Sequence, residues 1–159
     1  MEPIRIVWGT AAAPTKMASY DAALAAGNVH NYNLVSVSSV IPAGVTVEAV
    51  GEAPDLGPAG GRLTVVEACA TVPPGASDDA VAGLGWARDP NGPGLFYEAS
   101  GTDRTDVREA LESGLTAGRA LREWSFDEPV YRVVDAPPDP ESYTTAVVLA
   151  VYGDSDPIV

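Results

Sequence analysis

Eight short segments rich in apolar and β-branched residues constrain the fold of this chain most strongly. Several alternate apolar and polar residues as a half-buried strand requires, and Pro- or Gly-rich stretches separate them. The segments are IRIVWG, NLVSVSS, VTVEAV, RLTVVEACATV, AVAGLGWA, GLFYEAS, VYRVVDA and TTAVVLAVYG. The stretch RDPNGP between the fifth and sixth segments is typical of a hairpin. A chain with this many strands must pair them in sheets, with any helices covering the sheet faces.

Two further segments have helical patterns. Residues 17–27, MASYDAALAAG, predict a short helix that ends at its glycine. A longer helix is predicted from Asp106 to Trp124, with Asp106 and Glu109 at the spacing of a capping box. The sequence has no internal repeat and no convincing linker. We therefore expect a single domain over residues 1–159 with an α+β fold, in which helices cover the outer faces of packed antiparallel sheets.

The chain is strongly acidic. It has nine basic and 22 acidic residues, which give a formal net charge of −13, and Lys16 is the only lysine. Such a surface repels nucleic acid and anionic membranes, so we expect neither as a partner. At molar salt the Debye length falls to about 3 Å, which screens the repulsion among these acids. The composition therefore indicates a salt-rich cytoplasm, as in a halophile.

The chain has no pattern that would direct it into or across a membrane. No apolar run approaches the roughly 20 residues that span a bilayer. The N-terminus, MEPIRIVWGT, lacks the basic region and apolar core of a signal peptide. We therefore expect a cytoplasmic protein.

The side chains that ordinarily hold zinc or pyridoxal phosphate are scarce in this sequence. Cys69 and His30 are the only cysteine and histidine, so they cannot supply an ordinary zinc site of three or four such ligands. Pyridoxal phosphate enzymes anchor their cofactor on a lysine within a large fold, whereas Lys16 lies in the loop-like segment APTKM. We therefore expect neither a metal nor pyridoxal phosphate. Amine chemistry in this chain would need an electrophile made from the backbone itself.

The segment NLVSVSSVIPAG, which begins at Asn33, runs from an alternating strand into two adjacent serines and a Pro-Gly turn. Serines often end strands because their hydroxyls bond loose backbone groups, and this is the simpler interpretation. Together with Asp21 on the first predicted helix and Glu98 in GLFYEASG, however, the segment resembles the pyruvoyl-dependent arginine decarboxylases. The resemblance covers nearly the whole chain in length and element order. It implies a four-layer αββα sandwich of antiparallel sheets flanked by helices.

The resemblance implies that the chain cleaves its own peptide bond between Ser38 and Ser39. Ser39 Oγ would attack the Ser38 carbonyl, and β-elimination followed by hydrolysis would leave a covalently bound pyruvoyl group derived from Ser39. The products would be residues 1–38 and residues 39–159. The pyruvoyl ketone would accept the substrate amine and act as the electron sink for decarboxylation. The turn reads VIPAG, without a second proline, a departure from the family pattern that leaves the cleavage motif intact.

The resemblance also assigns roles to the other residues of the motif. Glu98 would donate the proton to the carbon that loses carbon dioxide, and Asn33 would hydrogen-bond the reacting groups near the pyruvoyl. Asp21 and the new carboxylate of Ser38 would bind the guanidinium of arginine, a planar cation that suits bidentate carboxylates. Each side chain has a simpler interpretation: Glu98 as a solvated acid, Asn33 as a cap where its strand begins, and Asp21 as an acid on an exposed helix face.

The family is generally trimeric, with sites between subunits. The resemblance therefore implies a trimer of processed protomers that converts arginine to agmatine and carbon dioxide, for polyamine synthesis or tRNA modification. Two alternatives stay open. The same pyruvoyl chemistry could act on another amino acid, or the chain could be an unprocessed homologue that binds cationic ligands or serves as a structural partner.

Overall fold

The computed structural model describes residues 1–159 and contains two helices and nine strands. The helices are α1 (Lys16–Ala26) and α2 (Arg104–Ala120). The strands are β1 (Ile4–Ala13), β2 (Asn33–Ser36), β3 (Val40–Ile41), β4 (Val47–Gly51), β5 (Arg62–Val72), β6 (Ala80–Arg88), β7 (Gly94–Gly101), β8 (Val130–Ala136) and β9 (Tyr143–Tyr152). Each of the eight predicted strand segments contributes one strand, and the α+β class is confirmed.

The strands form two sheets. The five-stranded sheet has the order β2-β5-β9-β1-β4, and the four-stranded sheet has the order β3-β7-β6-β8. Every pairing in the four-stranded sheet is antiparallel. In the five-stranded sheet the central strand β9 is antiparallel to both β1 and β5. The edge strand β2 runs parallel to its neighbour β5, and the edge strand β4 runs parallel to its neighbour β1. Antiparallel pairing therefore dominates, and a parallel strand lies at each edge of the larger sheet.

Hydrophobic clusters fill the three interfaces between four layers. A cluster of 16 buried residues, which includes Ile6 and Phe96, lies between the two sheets. Eleven buried residues, Leu24 among them, join α1 to the five-stranded sheet. Two clusters of three buried residues each, around Leu111 and Leu115, join α2 to the four-stranded sheet. The layers therefore follow the order of the predicted αββα sandwich. Neither helix offers the length of apolar sequence that a bilayer crossing requires.

Helix α2 begins about one turn earlier than its sequence pattern predicts. Asp103 is the N-cap: its backbone is extended, and its carboxylate accepts a hydrogen bond from the N–H of Asp106 at 3.0 Å. The predicted capping box at Asp106 and Glu109 is therefore wrong, because the carboxylate that satisfies a free N–H of the first turn stands three residues earlier. The helix also ends at Ala120 and does not reach Trp124.

Two glycines of α2 let the helix approach β7 closely. A Cβ atom at Gly114 would lie 2.5 Å from Tyr97 Cδ1, and one at Gly118 would lie 2.6 Å from the Tyr97 hydroxyl. The Tyr97 ring thus occupies the space that two side chains would need. Because neighbouring residues of a strand point to opposite faces, Glu98 points away from α2 and toward the space between the sheets.

Candidate active site

The two adjacent serines lie where the chain passes from one sheet to the other. β2 belongs to the five-stranded sheet and β3 to the four-stranded sheet, so only residues 37–39 connect them. The N–H of Val37 still donates to the Val65 carbonyl at 3.0 Å. The strand predicted to run through Ser39 therefore ends at Ser36, because the chain must turn between the sheets. The Ser38–Ser39 peptide bond is part of this crossing.

Backbone N–H groups hold the carbonyls of both serines. The Ser38 carbonyl accepts a hydrogen bond from the N–H of Val40 at 2.9 Å, and the Ser39 carbonyl accepts one from the N–H of Phe96 at 2.8 Å. A donor on the Ser38 oxygen stabilises the negative charge that develops there during nucleophilic attack on the carbonyl carbon. Ser39 is half-buried beside this carbonyl. The crossing therefore presents a polarised carbonyl next to a residue that carries a hydroxyl.

Ser38, Ser39 and Glu98 line one cavity of about 440 Å³. Glu98 is open to solvent on one side. Burial by the surrounding protein nevertheless raises the pKa of its carboxyl group above the usual range. A raised pKa keeps a larger fraction of the group protonated near neutral pH, which is what a proton donor needs. The structure thus brings three of the predicted site residues together and shifts the pKa of Glu98 in the direction that a proton donor needs.

Arg122 lines the same cavity, although the sequence analysis did not identify it. It follows the end of α2, where its guanidinium donates to the Gly118 carbonyl at 2.9 Å and lies 5.4 Å from the centre of the Trp124 ring. Nothing in the local pattern LREW distinguishes this arginine from a surface arginine. Its position in the cavity results from the packing of α2 on the four-stranded sheet.

Asp21 and Asn33 line a second cavity, of about 510 Å³. Its wall also includes His30 and the aromatic side chains of Tyr20 and Tyr32. The side-chain amide of Asn33 donates to the Gly60 carbonyl at 2.8 Å, which is the kind of bond that a cap at the beginning of a strand makes. Within one chain, therefore, the five predicted site residues divide between two cavities, and the catalytic role of Asn33 stays a prediction.

Glu67 is a further carboxylate that the sequence analysis missed. The Tyr20 hydroxyl donates to both of its oxygens, at 2.9 Å each. Burial is the main cause that raises the pKa of Glu67, and the negative charge of Glu98 raises this pKa further. The hydrogen bond from Tyr20 lowers it. Glu67 therefore lies within electrostatic range of Glu98 in the first cavity, while its partner Tyr20 lines the second. Its place within the apolar run LTVVEACATV gave no signal of this pairing.

Comparison with known proteins agrees with the family resemblance of the sequence. A sequence model of the family described as pyruvoyl-dependent arginine decarboxylase matches residues 3–157. The pyruvoyl-dependent arginine decarboxylase of Halobacterium salinarum is 54% identical over an alignment of 160 positions, which covers 99% of this chain and 98% of that protein. The protein of the same name from Pyrococcus furiosus is 33% identical over 139 residues, which cover 86% of this chain and 85% of the relative.

A third relative, from Thermococcus sibiricus, has the same name and is 34% identical over 116 residues, or 72% of each chain. The similarity to the Halobacterium protein also agrees with the halophilic composition of this sequence, whose net charge is −13. The family match extends over almost the whole chain, including both cavities. This chain belongs to the pyruvoyl-dependent arginine decarboxylase family.

Proposed function

We propose that this chain is a cytoplasmic carboxy-lyase that cleaves itself between Ser38 and Ser39 and then converts L-arginine to agmatine and carbon dioxide. The observation that carries the proposal is the hydrogen bond from the N–H of Val40 to the Ser38 carbonyl, at the cavity that Ser39 and Glu98 share. Membership of the family supports the covalent pyruvoyl group and the arginine substrate. The origin of that group in Ser39 is part of our proposal.

Self-cleavage begins when Ser39 Oγ adds to the carbonyl carbon of Ser38. The bond between this carbon and the nitrogen of residue 39 then breaks, the nitrogen takes a proton, and an ester replaces the amide. Loss of the Cα proton of residue 39 and cleavage of its Cβ–Oγ bond release Ser38 as a carboxylate that keeps Oγ. The enamine left at residue 39 moves a proton from its nitrogen to Cβ; water then replaces the nitrogen on Cα, and ammonia leaves. Residues 39–159 are left with a ketone at their first position.

The residues around Ser39 fit a pyruvoyl group at this position. Once formed, the group supplies a ketone that accepts the substrate amine and the electron pair freed by loss of carbon dioxide. The N–H of Phe96 already holds the carbonyl of residue 39, which is adjacent to that ketone after cleavage. Glu98 lies in the same cavity and would deliver the proton to the substrate carbon. The proposal requires neither a metal ion nor pyridoxal phosphate.

The cavity around Asp21 supplies a chemistry that suits the other end of the substrate. A carboxylate beside two aromatic rings, those of Tyr20 and Tyr32, is a favourable setting for a planar guanidinium cation. Since Asp21 and Ser39 line different cavities of one chain, a site that uses both is best completed by a second copy. We therefore include a trimer of processed protomers in the proposal. In it, Asp21 and the Ser38 carboxylate bind the guanidinium, and Asn33 hydrogen-bonds the reacting groups near the pyruvoyl.

Asp21→Asn is expected to leave self-cleavage intact and to raise the KM for arginine with little change in kcat. The substitution keeps the shape of the side chain but removes the charge that faces the guanidinium. A lost charge-assisted hydrogen bond is worth about 1.5–3 kcal/mol, which corresponds to roughly a 10- to 150-fold increase in KM. Steady-state kinetics of the processed variant in molar KCl measure this change.

Asp78→Asn is the matched control, because Asp78 is an exposed acid that lines neither cavity. It should have the wild-type KM. The same assay, which detects carbon dioxide and agmatine, should be run with lysine, ornithine and histidine. A wild-type KM for Asp21→Asn would show that Asp21 is only a surface acid, and faster turnover of another amino acid would show that arginine is the wrong substrate.

A further inference from the structure

Tyr152 connects the two sheets beside the serine pair. It is the last residue of β9 in the five-stranded sheet. Its hydroxyl donates to the carbonyl of Val40, which belongs to the four-stranded sheet, at 2.8 Å. Val40 directly follows Ser39, so this bond lies one residue beyond the proposed cleavage point. The bond therefore ties the beginning of β3 to the five-stranded sheet.

The Tyr152 ring is held by a second residue of the same region. It packs edge-on against the Phe96 ring, with the ring centres 6.2 Å apart and the planes at 67°. Phe96 is fully buried in the core between the sheets. Its backbone N–H is the donor on the Ser39 carbonyl. The position of the tyrosine hydroxyl and the position of the Phe96 donor therefore depend on the same packing.

Three successive carbonyls at the crossing each have their own donor. The Ser38 carbonyl is bonded by the Val40 N–H, the Ser39 carbonyl by the Phe96 N–H, and the Val40 carbonyl by the Tyr152 hydroxyl. Val40 is thus bonded on both sides, through its N–H and through its carbonyl. Burial raises the pKa of Tyr152 to about 12, so the hydroxyl stays protonated and able to donate at neutral pH.

We propose that Tyr152 is a positioning residue for self-cleavage, because its hydroxyl fixes Val40 so that the Val40 N–H stays on the Ser38 carbonyl. This inference rests on the proposed cleavage at Ser38–Ser39. Tyr152 does not touch the reacting atoms. It acts through Val40, whose N–H stabilises the charge on the Ser38 oxygen when Ser39 Oγ attacks. Without the hydroxyl, Val40 rotates more freely, and a smaller fraction of chains has the carbonyl ready for attack.

The test uses Tyr152→Phe, which keeps the ring and its contact with Phe96 but removes the hydroxyl. Precursor purified in denaturant is diluted into molar KCl, and intact mass follows its conversion to residues 1–38 and 39–159. We expect cleavage to slow roughly tenfold, the change that corresponds to about 1.4 kcal/mol for a lost hydrogen bond. Tyr131→Phe is the control, because this half-buried tyrosine lies on β8, away from the serine pair; its precursor should be cleaved at the wild-type rate.

Adding hydroxylamine shows whether the slow step comes before or after formation of the ester, because hydroxylamine cleaves any ester that accumulates in the chain. The proposal places the defect before the ester forms, so hydroxylamine should not accelerate cleavage of Tyr152→Phe. Accumulation of an ester that hydroxylamine cleaves would overturn the assignment. So would a wild-type rate of cleavage in Tyr152→Phe.

A second measurement does not depend on cleavage. In the uncleavable Ser39→Ala background, hydrogen exchange at the Val40 amide reports its bond to the Ser38 carbonyl directly. We expect Tyr152→Phe to accelerate this exchange several-fold while Tyr131→Phe leaves it unchanged. Unchanged exchange would overturn the inference even if the proposed function holds. An uncleaved wild-type chain would contradict the proposed function itself, and the role of Tyr152 in cleavage would fall with it.

Discussion

Replacing Ser39 with alanine should leave the protein a single chain of 159 residues with no decarboxylase activity. Alanine has no hydroxyl, so nothing can add to the Ser38 carbonyl and no ketone can form. The N–H groups of Val40 and Phe96 would still hold the two carbonyls, because backbone bonds do not depend on the side chain. The folded structure and the thermal midpoint should therefore stay close to those of the wild type. Intact mass and an assay for carbon dioxide release measure both consequences.

Ser36→Ala is the matched control for this variant. Ser36 is an exposed serine at the end of β2, and it lines neither cavity. Its variant should be cleaved and active like the wild type. Cleavage of Ser39→Ala between residues 38 and 39 would show that another group attacks the carbonyl, and the assignment of Ser39 would have to be abandoned.

Glu98→Gln should make a processed enzyme that binds arginine but turns it over about 10²–10⁴ times more slowly, the usual loss for a general acid. Glutamine preserves the size and much of the hydrogen bonding of the side chain, yet it cannot deliver a proton to the substrate carbon. The measurement is single-turnover kinetics of fully processed protein, which separates binding from the proton-transfer step. Glu48→Gln, at an exposed acid on β4, is the control and should be as active as the wild type.

The pH dependence of the decarboxylation rate follows from the direction in which the pKa of Glu98 is shifted. Burial raises the pKa of Glu98, so the folded protein holds this proton to a higher pH than a free glutamic acid does. We expect the rate to fall as pH rises through this raised pKa, and Glu98→Gln to lack that limb of the profile. Protonation of Glu98 also contributes to the stability of the fold, and this contribution falls with rising pH as the rate does. It is fully present below the pKa that Glu98 has in the unfolded chain, and it is lost as pH rises through the pKa of Glu98 in the folded protein. A wild-type rate in Glu98→Gln would mean that another group donates the proton.

Local patterns in the sequence predicted much of this fold because strands and helices impose short periods on the chain. The apolar runs in RLTVVEACATV and TTAVVLAVYG correspond to β5 and β9. The serine pair and Glu98 were identified from the resemblance to a known family, and they do share one cavity. The N-cap at Asp103 was missed because several acids near the beginning of α2 have suitable spacings, and only the backbone conformation selects one.

The remaining features depend on packing between residues that are far apart in sequence. The contact of Tyr152 with Val40 joins residues separated by 112 positions, and that of Tyr20 with Glu67 joins residues separated by 47. Arg122 reaches the Ser39 cavity only because α2 packs on the four-stranded sheet. The spacing of apolar residues within one segment cannot predict such contacts. The division of the predicted site between two cavities has the same origin, since it depends on how the sheets stack.

The most direct test of this account is the intact mass of wild-type protein whose precursor is refolded in molar KCl made with heavy-oxygen water. Self-cleavage between Ser38 and Ser39 should give two chains. Residues 39–159 should be lighter than a simple hydrolysis product by one ammonia, after exchange of the ketone oxygen back to ordinary water. Residues 1–38 should carry no heavy oxygen, because the second oxygen of the new Ser38 carboxylate comes from Ser39 Oγ. A chain that stays intact, or a 1–38 fragment that carries heavy oxygen beside a 39–159 fragment with a free amine, would contradict it.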